Sequence, residues 1–154
     1  MLYILEGCDG AGKSTVAAQL KEILDAEIVH CSQYTPNDFY FFHNIAMAAA
    51  DKNIIADRFC YGQFVYQEEC ERPLRNRGDI AALTNLHELE TNMLSSGVKV
   101  IYVTAPVEEI KDRLALRGES LINKLTVEAI LGRYETIKQM SILPWIEWNT
   151  GGEQ

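Results

Sequence analysis

Long apolar runs are missing from this chain. No stretch approaches the roughly 20 consecutive apolar residues that a bilayer-spanning helix needs, which excludes an integral membrane protein of the helical kind. A basic excess is missing too. The 14 Lys and Arg residues stand against 22 Asp and Glu, a formal charge of −8, which argues against a broad nucleic-acid surface or an anionic-membrane partner. A local basic cleft remains compatible with that balance. Cysteine is scarce and unpatterned: Cys8, Cys31, Cys60 and Cys70 form no C-x-x-C pair and no zinc-type spacing. Neither a disulfide framework nor a structural zinc site is expected, and reduced thiols in a cytoplasmic protein are the natural reading. Internal repeats and low-complexity tracts are absent, and the first residues enter a strand at once, leaving no room for a signal peptide. What remains is a chain of 154 residues, read as one domain over residues 1–154 with a proper core.

What is present is concentrated near the start. Gly7-Cys8-Asp9-Gly10-Ala11-Gly12-Lys13-Ser14-Thr15 fits the pattern G-x-x-x-x-G-K-[ST], the phosphate-binding loop. Leu2-Tyr3-Ile4-Leu5 before it reads as a buried strand. After it, Val16, Leu20, Ile23 and Leu24 recur at helical spacing, so a helix begins near Lys13. The glycines let the backbone curl with its N–H groups inward on an anion, and the helix N-terminus adds partial positive charge. Gly10, Ala11, Gly12, Lys13, Ser14 and Thr15 are therefore the candidate donor-nucleotide residues. Lys13 can reach the β- and γ-phosphates, and the Ser14 hydroxyl can ligate Mg²⁺.

The remaining pattern alternates strands with helices. Strands are expected at Glu27–Cys31, Ile54–Ala56, Val98–Val103 and Trp145–Trp148. Helices are expected after Thr35-Pro36 through the aromatic run Phe39-Tyr40-Phe41-Phe42 to Ala50, over Phe59–Cys70, and from a cap at Asp79 to Gly97. Two more run from Val107 to Gly118 and from Thr126 to about Met140. That alternation means an α/β fold, a five-stranded parallel sheet covered by helices on both faces, with right-handed crossovers. Ligands in such sheets bind at the carboxyl ends of the strands, where Gly7, Cys31, Asp57, Thr104 and Asn149 all fall.

Two further constellations lie at that edge. Ile54-Ile55-Ala56-Asp57-Arg58 ends an apolar strand in an acid, a Walker-B-like position whose carboxylate would hold Mg²⁺. Arg58 is placed to brace phosphoryl oxygens where charge develops. Arg113 and Arg117 are four apart and share a helix face. Arg117 stands at the entrance to a connector, with Lys124 in it, where a lid over about residues 117–126 would hinge. Arginine offers phosphate a planar fork, although pairing with Glu109 is the simpler use of either side chain. In the aromatic run, consecutive residues point about 100° apart on a helix. One of Phe39 or Phe42 could then stack on an acceptor base while the others pack in a core or a dimer interface.

Three sets of residues together resemble the thymidylate kinase family: the phosphate loop after Leu5-Glu6, Asp57-Arg58-Phe59 with Tyr66-Gln67 downstream, and the segment from Lys99 to Gly118. The resemblance implies a three-layer P-loop kinase fold with strand order 2-3-1-4-5 and transfer of the ATP γ-phosphate to a deoxynucleoside monophosphate. It implies that Asp9 approaches the acceptor sugar or the metal and that Arg58 touches donor and acceptor phosphates. It also puts Gln63 and Tyr66 on the acceptor base, Arg117 over the phosphates from the lid, and Asn149–Gly152, Thr150 included, over the adenine. A homodimer is implied as well. Several positions depart from the family. His30-Cys31-Ser32-Gln33-Tyr34-Thr35-Pro36 replaces an Arg-Glu-Pro-Gly-Gly stretch, Gly62 replaces a serine, and the lid lacks the acid usual beside arginine. The chain closes four residues after Thr150, before the family's final helix, in the manner of a compact, phage-encoded member. These departures bear on base preference more than on reaction type.

Two enzyme readings stay open on the residues. Phosphorylating a sugar hydroxyl normally wants a carboxylate base, and the second strand ends in His30-Cys31-Ser32 with no acid. A monophosphate acceptor is already an ionised nucleophile and needs cations, which Arg58 and the cluster Arg72, Arg75 and Arg77 can supply. The balance favours the monophosphate, and Asp9 acting as a base would reverse it. Outside the kinases, a GTPase would need Asn-Lys-x-Asp, and Asn123-Lys124-Leu125-Thr126 lacks the final acid. A non-catalytic P-loop nucleotide binder is the remaining alternative.

Overall fold

The computed structural model describes residues 1–31, 39–66, 83–118 and 126–152, apart from the side chains of Gln63, Tyr66, Leu83 and Thr84. Its frame is a five-stranded sheet, every pairing parallel, in the order β2-β3-β1-β4-β5. The strands are β1 (Leu2–Glu6), β2 (Glu27–His30), β3 (Ile54–Asp57), β4 (Val98–Thr104) and β5 (Trp145–Asn149). The helices are α1 (Lys13–Leu24), α2 (Phe39–Ala48), α3 (Cys60–Tyr66), α4 (Leu83–Leu94), α5 (Val107–Leu116) and α6 (Val127–Met140). No helix among the described residues is long and apolar enough to cross a membrane.

The three central strands are continuous apolar runs because helices cover both faces of the sheet. Ile4, Leu5, Ile55, Ala56, Val100 and Val103 are buried to the last few per cent or better. The outer strands β2 and β5 are only half covered. Element ends follow local chemistry. Thr126 caps α6 by accepting the Ala129 N–H at 3.1 Å, which satisfies one of the orphan donors of its first turn. Gly118, at φ 66°, closes α5 with its N–H on the Ala115 carbonyl at 3.1 Å, the left-handed exit that glycine adopts without steric cost.

Two details differ from expectation. The apolar stripe of α1 does not reach Ile23, which is 75% exposed. Full burial on this helix is confined to its first turns, at Lys13, Val16 and Ala17, while Leu20 and Leu24 pack against the core only in part and Ile23 points away from it. The other concerns Phe42, expected as a possible stacking platform for an acceptor base. It is fully buried, edge-on to Phe59 at 4.7 Å and to Phe41 at 5.2 Å between ring centroids. Its face of α2 meets the residue just past the end of β3, and edge-to-face packing there makes it core. Phe39 lies partly exposed, its ring parallel to that of His43 at 5.7 Å. The expected starts of α2 at Thr35-Pro36 and of α4 at Asp79 lie outside the described residues.

Parallel registry brings the strand ends level. Leu5 and His30 both stand opposite Asp57, and Thr104 stands opposite Asn149. One edge of the sheet therefore carries the loop after β1, Asp57-Arg58 after β3 and the segment after β5.

Candidate nucleotide-binding site

At that edge lies a cleft of about 180 Å³ lined by Asp9, Gly10, Gly12, Lys13, Ser14, Thr15, Asp57, Arg58 and Arg117. Each of these nine is a residue that the sequence singles out. The loop owes its shape to backbone conformations that glycine favours: Gly10 has φ 86° and Gly12 φ 100°. It closes through the Ala11 N–H on the Cys8 carbonyl at 3.0 Å. The first N–H groups of α1 follow immediately, forming the anion site that a helix N-terminus provides. Burial pushes the Cys8 thiol up to about 12, with Asp9 adding to the effect, so this loop cysteine stays protonated and is no nucleophile.

Lys13 is folded over the loop. Its Nζ donates to the Gly7 carbonyl at 3.0 Å and to the Cys8 carbonyl at 3.2 Å. Burial first, and the Arg58 guanidinium second, bring its pKa down to about 8. The unfolded chain then holds more protons than the folded one between about 8 and the ordinary lysine value of 10.5. In that window the stability of the unliganded protein rises with pH. A bound phosphate reverses the sign by favouring the ammonium. Nucleotide binding is therefore expected to take up protons near pH ~8.5 and almost none near pH ~6.5. Calorimetry in two buffers of different ionisation enthalpy measures this directly; equal uptake at both pH values would remove Lys13 from the phosphate site.

Arg58 sits just past the end of β3 at φ 65°, a left-handed conformation that costs a non-glycine residue roughly 1–2 kcal/mol. Its guanidinium is ion-paired with Asp9 of the loop. Beside it, Asp57 takes His30 Nδ1 on Oδ2 at 3.1 Å. The Ser14 hydroxyl and the Asp57 carboxylate share the cleft as hard oxygen donors. This sparse set suits Mg²⁺, which keeps several waters and takes the rest of its ligands from substrate phosphates. Among the described residues no group of three or more His, Cys, Asp and Glu side chains converges as a metal cage.

Arg113 is placed differently from expectation. Its Nη1 donates to the Gly10 carbonyl at 3.2 Å and to Thr150 Oγ1 at 3.0 Å. Its Nη2 donates to the Thr150 carbonyl at 3.0 Å and to Glu109 Oε2 at 3.3 Å. With both terminal nitrogens engaged by protein, Arg113 braces the loop instead of gripping a phosphate. Thr150 completes the brace: its hydroxyl donates to the Ala11 carbonyl, and its N–H to the Thr104 carbonyl at 2.8 Å. Arg117, one turn on, is exposed and lines the cleft. The side chains of Gln63 and Tyr66, the connector with Lys124, and the cluster Arg72, Arg75 and Arg77 lie outside the described residues.

Two acids escaped the sequence reading as site components. Glu109 accepts the Gly152 N–H at 2.7 Å on Oε1 and so ties down the segment after β5. Glu6 is fully buried at the end of β1. The signal for Glu6 was available, since a lone acid ends an apolar central strand directly before Gly7.

No protein-family model matches the chain. Over 156 aligned residues it is 33% identical to YorR, a protein derived from the SPbeta prophage of Bacillus subtilis strain 168, covering 97% of this chain and 89% of YorR. The chain belongs to the YorR family. The crystal structure of YorR, solved in complex with phosphorylated GDP, superposes with a TM-score of 0.73 at 30% identity, covering 97% of this chain and 86% of that one. Deoxyadenosine kinase from M. mycoides with bound dCTP matches at TM-score 0.60 and 20% identity, covering 97% and 90% of the two chains. Thymidylate kinase from Candida albicans matches at 0.56 and 18%, covering 99% and 84%. At those identities the likeness speaks for the fold, and the YorR family has the fold of the nucleotide kinases.

Proposed function

We propose that this protein is an ATP- and Mg²⁺-dependent kinase that transfers the γ-phosphoryl group of ATP to a deoxynucleoside monophosphate. The observation that carries the reading is the Asp9–Arg58 ion pair in the same cleft as Lys13. A hydroxyl acceptor calls for a carboxylate base. Asp9 is engaged by a guanidinium, and Asp57 has an oxygen on His30. A monophosphate acceptor brings its own anionic oxygen and calls for cations, and Arg58 and Arg117 line the cleft.

In this reading an acceptor phosphate oxygen attacks the γ-phosphorus, the bond to the bridging oxygen breaks, and ADP leaves. No proton has to be removed from the acceptor. Lys13 and Arg58 stabilise the charge on the transferring group, and Arg117 joins them from the lid side. Ser14 and Asp57 would hold Mg²⁺, which would supply neutralising charge to the donor phosphates. Asp9 orients Arg58 and meets the acceptor sugar. Gln63 and Tyr66 sort the acceptor base, while residues 149–152 face the donor base.

The relative's bound guanine nucleotide supports a nucleotide ligand and brings guanine compounds into the test. A coupled ADP-release assay against deoxynucleosides, deoxynucleoside monophosphates including the guanine one, and DNA ends is expected to show turnover with a monophosphate. Activity on a nucleoside but not on its monophosphate overturns the acceptor assignment. ADP release with no acceptor points to a nucleotide-driven switch.

A further inference from the structure

Glu6 has no part in the steps above, yet it is the acid most thoroughly built into the site. Its side chain is fully buried and receives three donors. Oε1 accepts the Phe59 N–H at 2.7 Å and the Gly62 N–H at 3.3 Å, and Oε2 accepts the Tyr134 hydroxyl at 2.8 Å. Burying a carboxylate is costly unless its oxygens are satisfied, and burial does raise the pKa of this one, against the opposing influence of Arg58, the Phe59 N–H, Tyr134 and Lys13.

The geometry of those donors is specific. Phe59 and Gly62 flank and open the first turn of α3, whose leading N–H groups have no partners within the helix. Glu6 thus caps α3 from a neighbouring strand. The residue it brackets is Arg58. The Arg58 N–H donates to the Leu5 carbonyl at 2.9 Å, and the next N–H, that of Phe59, goes to Glu6. Two successive residues of β1 therefore hold the peptides on either side of the left-handed residue. Gly62 of α3 lies close over both groups: a Cβ there would stand 3.7 Å from Glu6 Oε2 and 4.0 Å from Arg58 Nη1, ordinary contact distances. The residue after Glu6 is Gly7, whose carbonyl receives Lys13.

We propose that Glu6 is a positioning residue that locks Arg58 in its left-handed conformation by accepting the Phe59 and Gly62 N–H groups, and so sets the Arg58 guanidinium against Asp9 and Lys13. Its structural half stands on the geometry; its catalytic consequence rests on the kinase reading. Through Tyr134, the same carboxylate joins this turn to α6, which packs against α3.

Three variants test it. Glu6→Gln retains an oxygen for the two N–H groups and is expected to keep turnover within ~3-fold, since the acceptor and not the charge is what matters. Glu6→Ala removes the acceptor and is expected to lower kcat ~10²-fold, the scale of a misplaced catalytic group, with the KM for ATP little changed. Tyr134→Phe removes the hydroxyl that donates to Glu6 Oε2 but leaves both N–H contacts in place, and is expected to leave kcat unchanged. Crystal structures of the Gln and Ala variants provide a readout that does not depend on the reaction: Arg58 at positive φ on Asp9 in the first, displaced in the second. An Ala variant with Arg58 in place overturns the proposal, as does a Tyr134→Phe loss in kcat equal to that of Glu6→Ala. If Glu6→Ala does not fold, the Gln variant decides, because a folded Gln variant with Arg58 displaced contradicts the N–H mechanism. Absence of transfer by the wild type on every acceptor removes the kinase reading and leaves the crystallographic comparison standing.

Discussion

Lys13→Ala is expected to lose at least ~10²-fold in turnover while the protein keeps its fold. A fixed cation aimed at a transferring phosphoryl group contributes on that scale when it acts in a site with little water. The lysine is nine-tenths buried and held on the Gly7 and Cys8 carbonyls, so its ammonium is kept at the loop before a nucleotide arrives. Truncating it relieves the strain of a buried ammonium, whose depressed pKa marks it as unfavourable in the empty site. The expected signature is therefore a split: kcat collapses, while thermal stability without ligand is unchanged or slightly raised below about pH 8. Steady-state kinetics and thermal melts on the same preparation separate the two. Near-wild-type turnover in the variant would dismiss the proposed mechanism.

Gly7→Ala is expected to damage the protein at the opposite level, that of folding. A Cβ on Gly7 would lie 2.2 Å from the Val103 carbonyl oxygen and 3.3 Å from its carbon. Both partners are backbone at the end of adjacent, fully paired central strands, so neither can turn aside as a flexible side chain would. Overpacking of a rigid site costs typically 1–3 kcal/mol, and the upper end applies here. For a chain of this length that is a fall in Tm on the order of 10 °C. Gly118→Ala offers the contrast, because a Cβ there meets nothing within 4 Å and only the positive φ is penalised. A Gly7→Ala variant that melts with the wild type would show that β1 and β4 can separate at this end without cost.

The route from sequence to site was short where chemistry is local. The loop, the start of α1, the strands around it and the ends of α5 and α6 follow from glycines, caps and apolar runs within a few residues of one another. Asp57, Arg58 and Arg117 came from the same kind of reading, because strand ends and helix ends can be found along the chain. Phe42 and Arg113 came out differently for a shared reason. Each is a residue type suited to a ligand, and in each case a partner distant in sequence took it first: Phe59 met the ring of Phe42, and Thr150 with Gly10 took the guanidinium of Arg113. Glu109, which lies four residues before Arg113, was visible as its ion-pair partner, but its hold on Gly152 depends on where β5 ends.

By itself, the sequence determined a phosphate-loop motif on a parallel α/β sheet, because the motif and its strand–loop–helix setting are contiguous and steric rules give them one outcome. Only the tertiary structure decided what each charged group faces. It paired Asp9 with Arg58, turned Arg113 onto the loop and set Glu6 on the Phe59 N–H. Those choices are made across 49, 103 and 53 residues of chain, and parallel strand registry, not local propensity, brings such partners together.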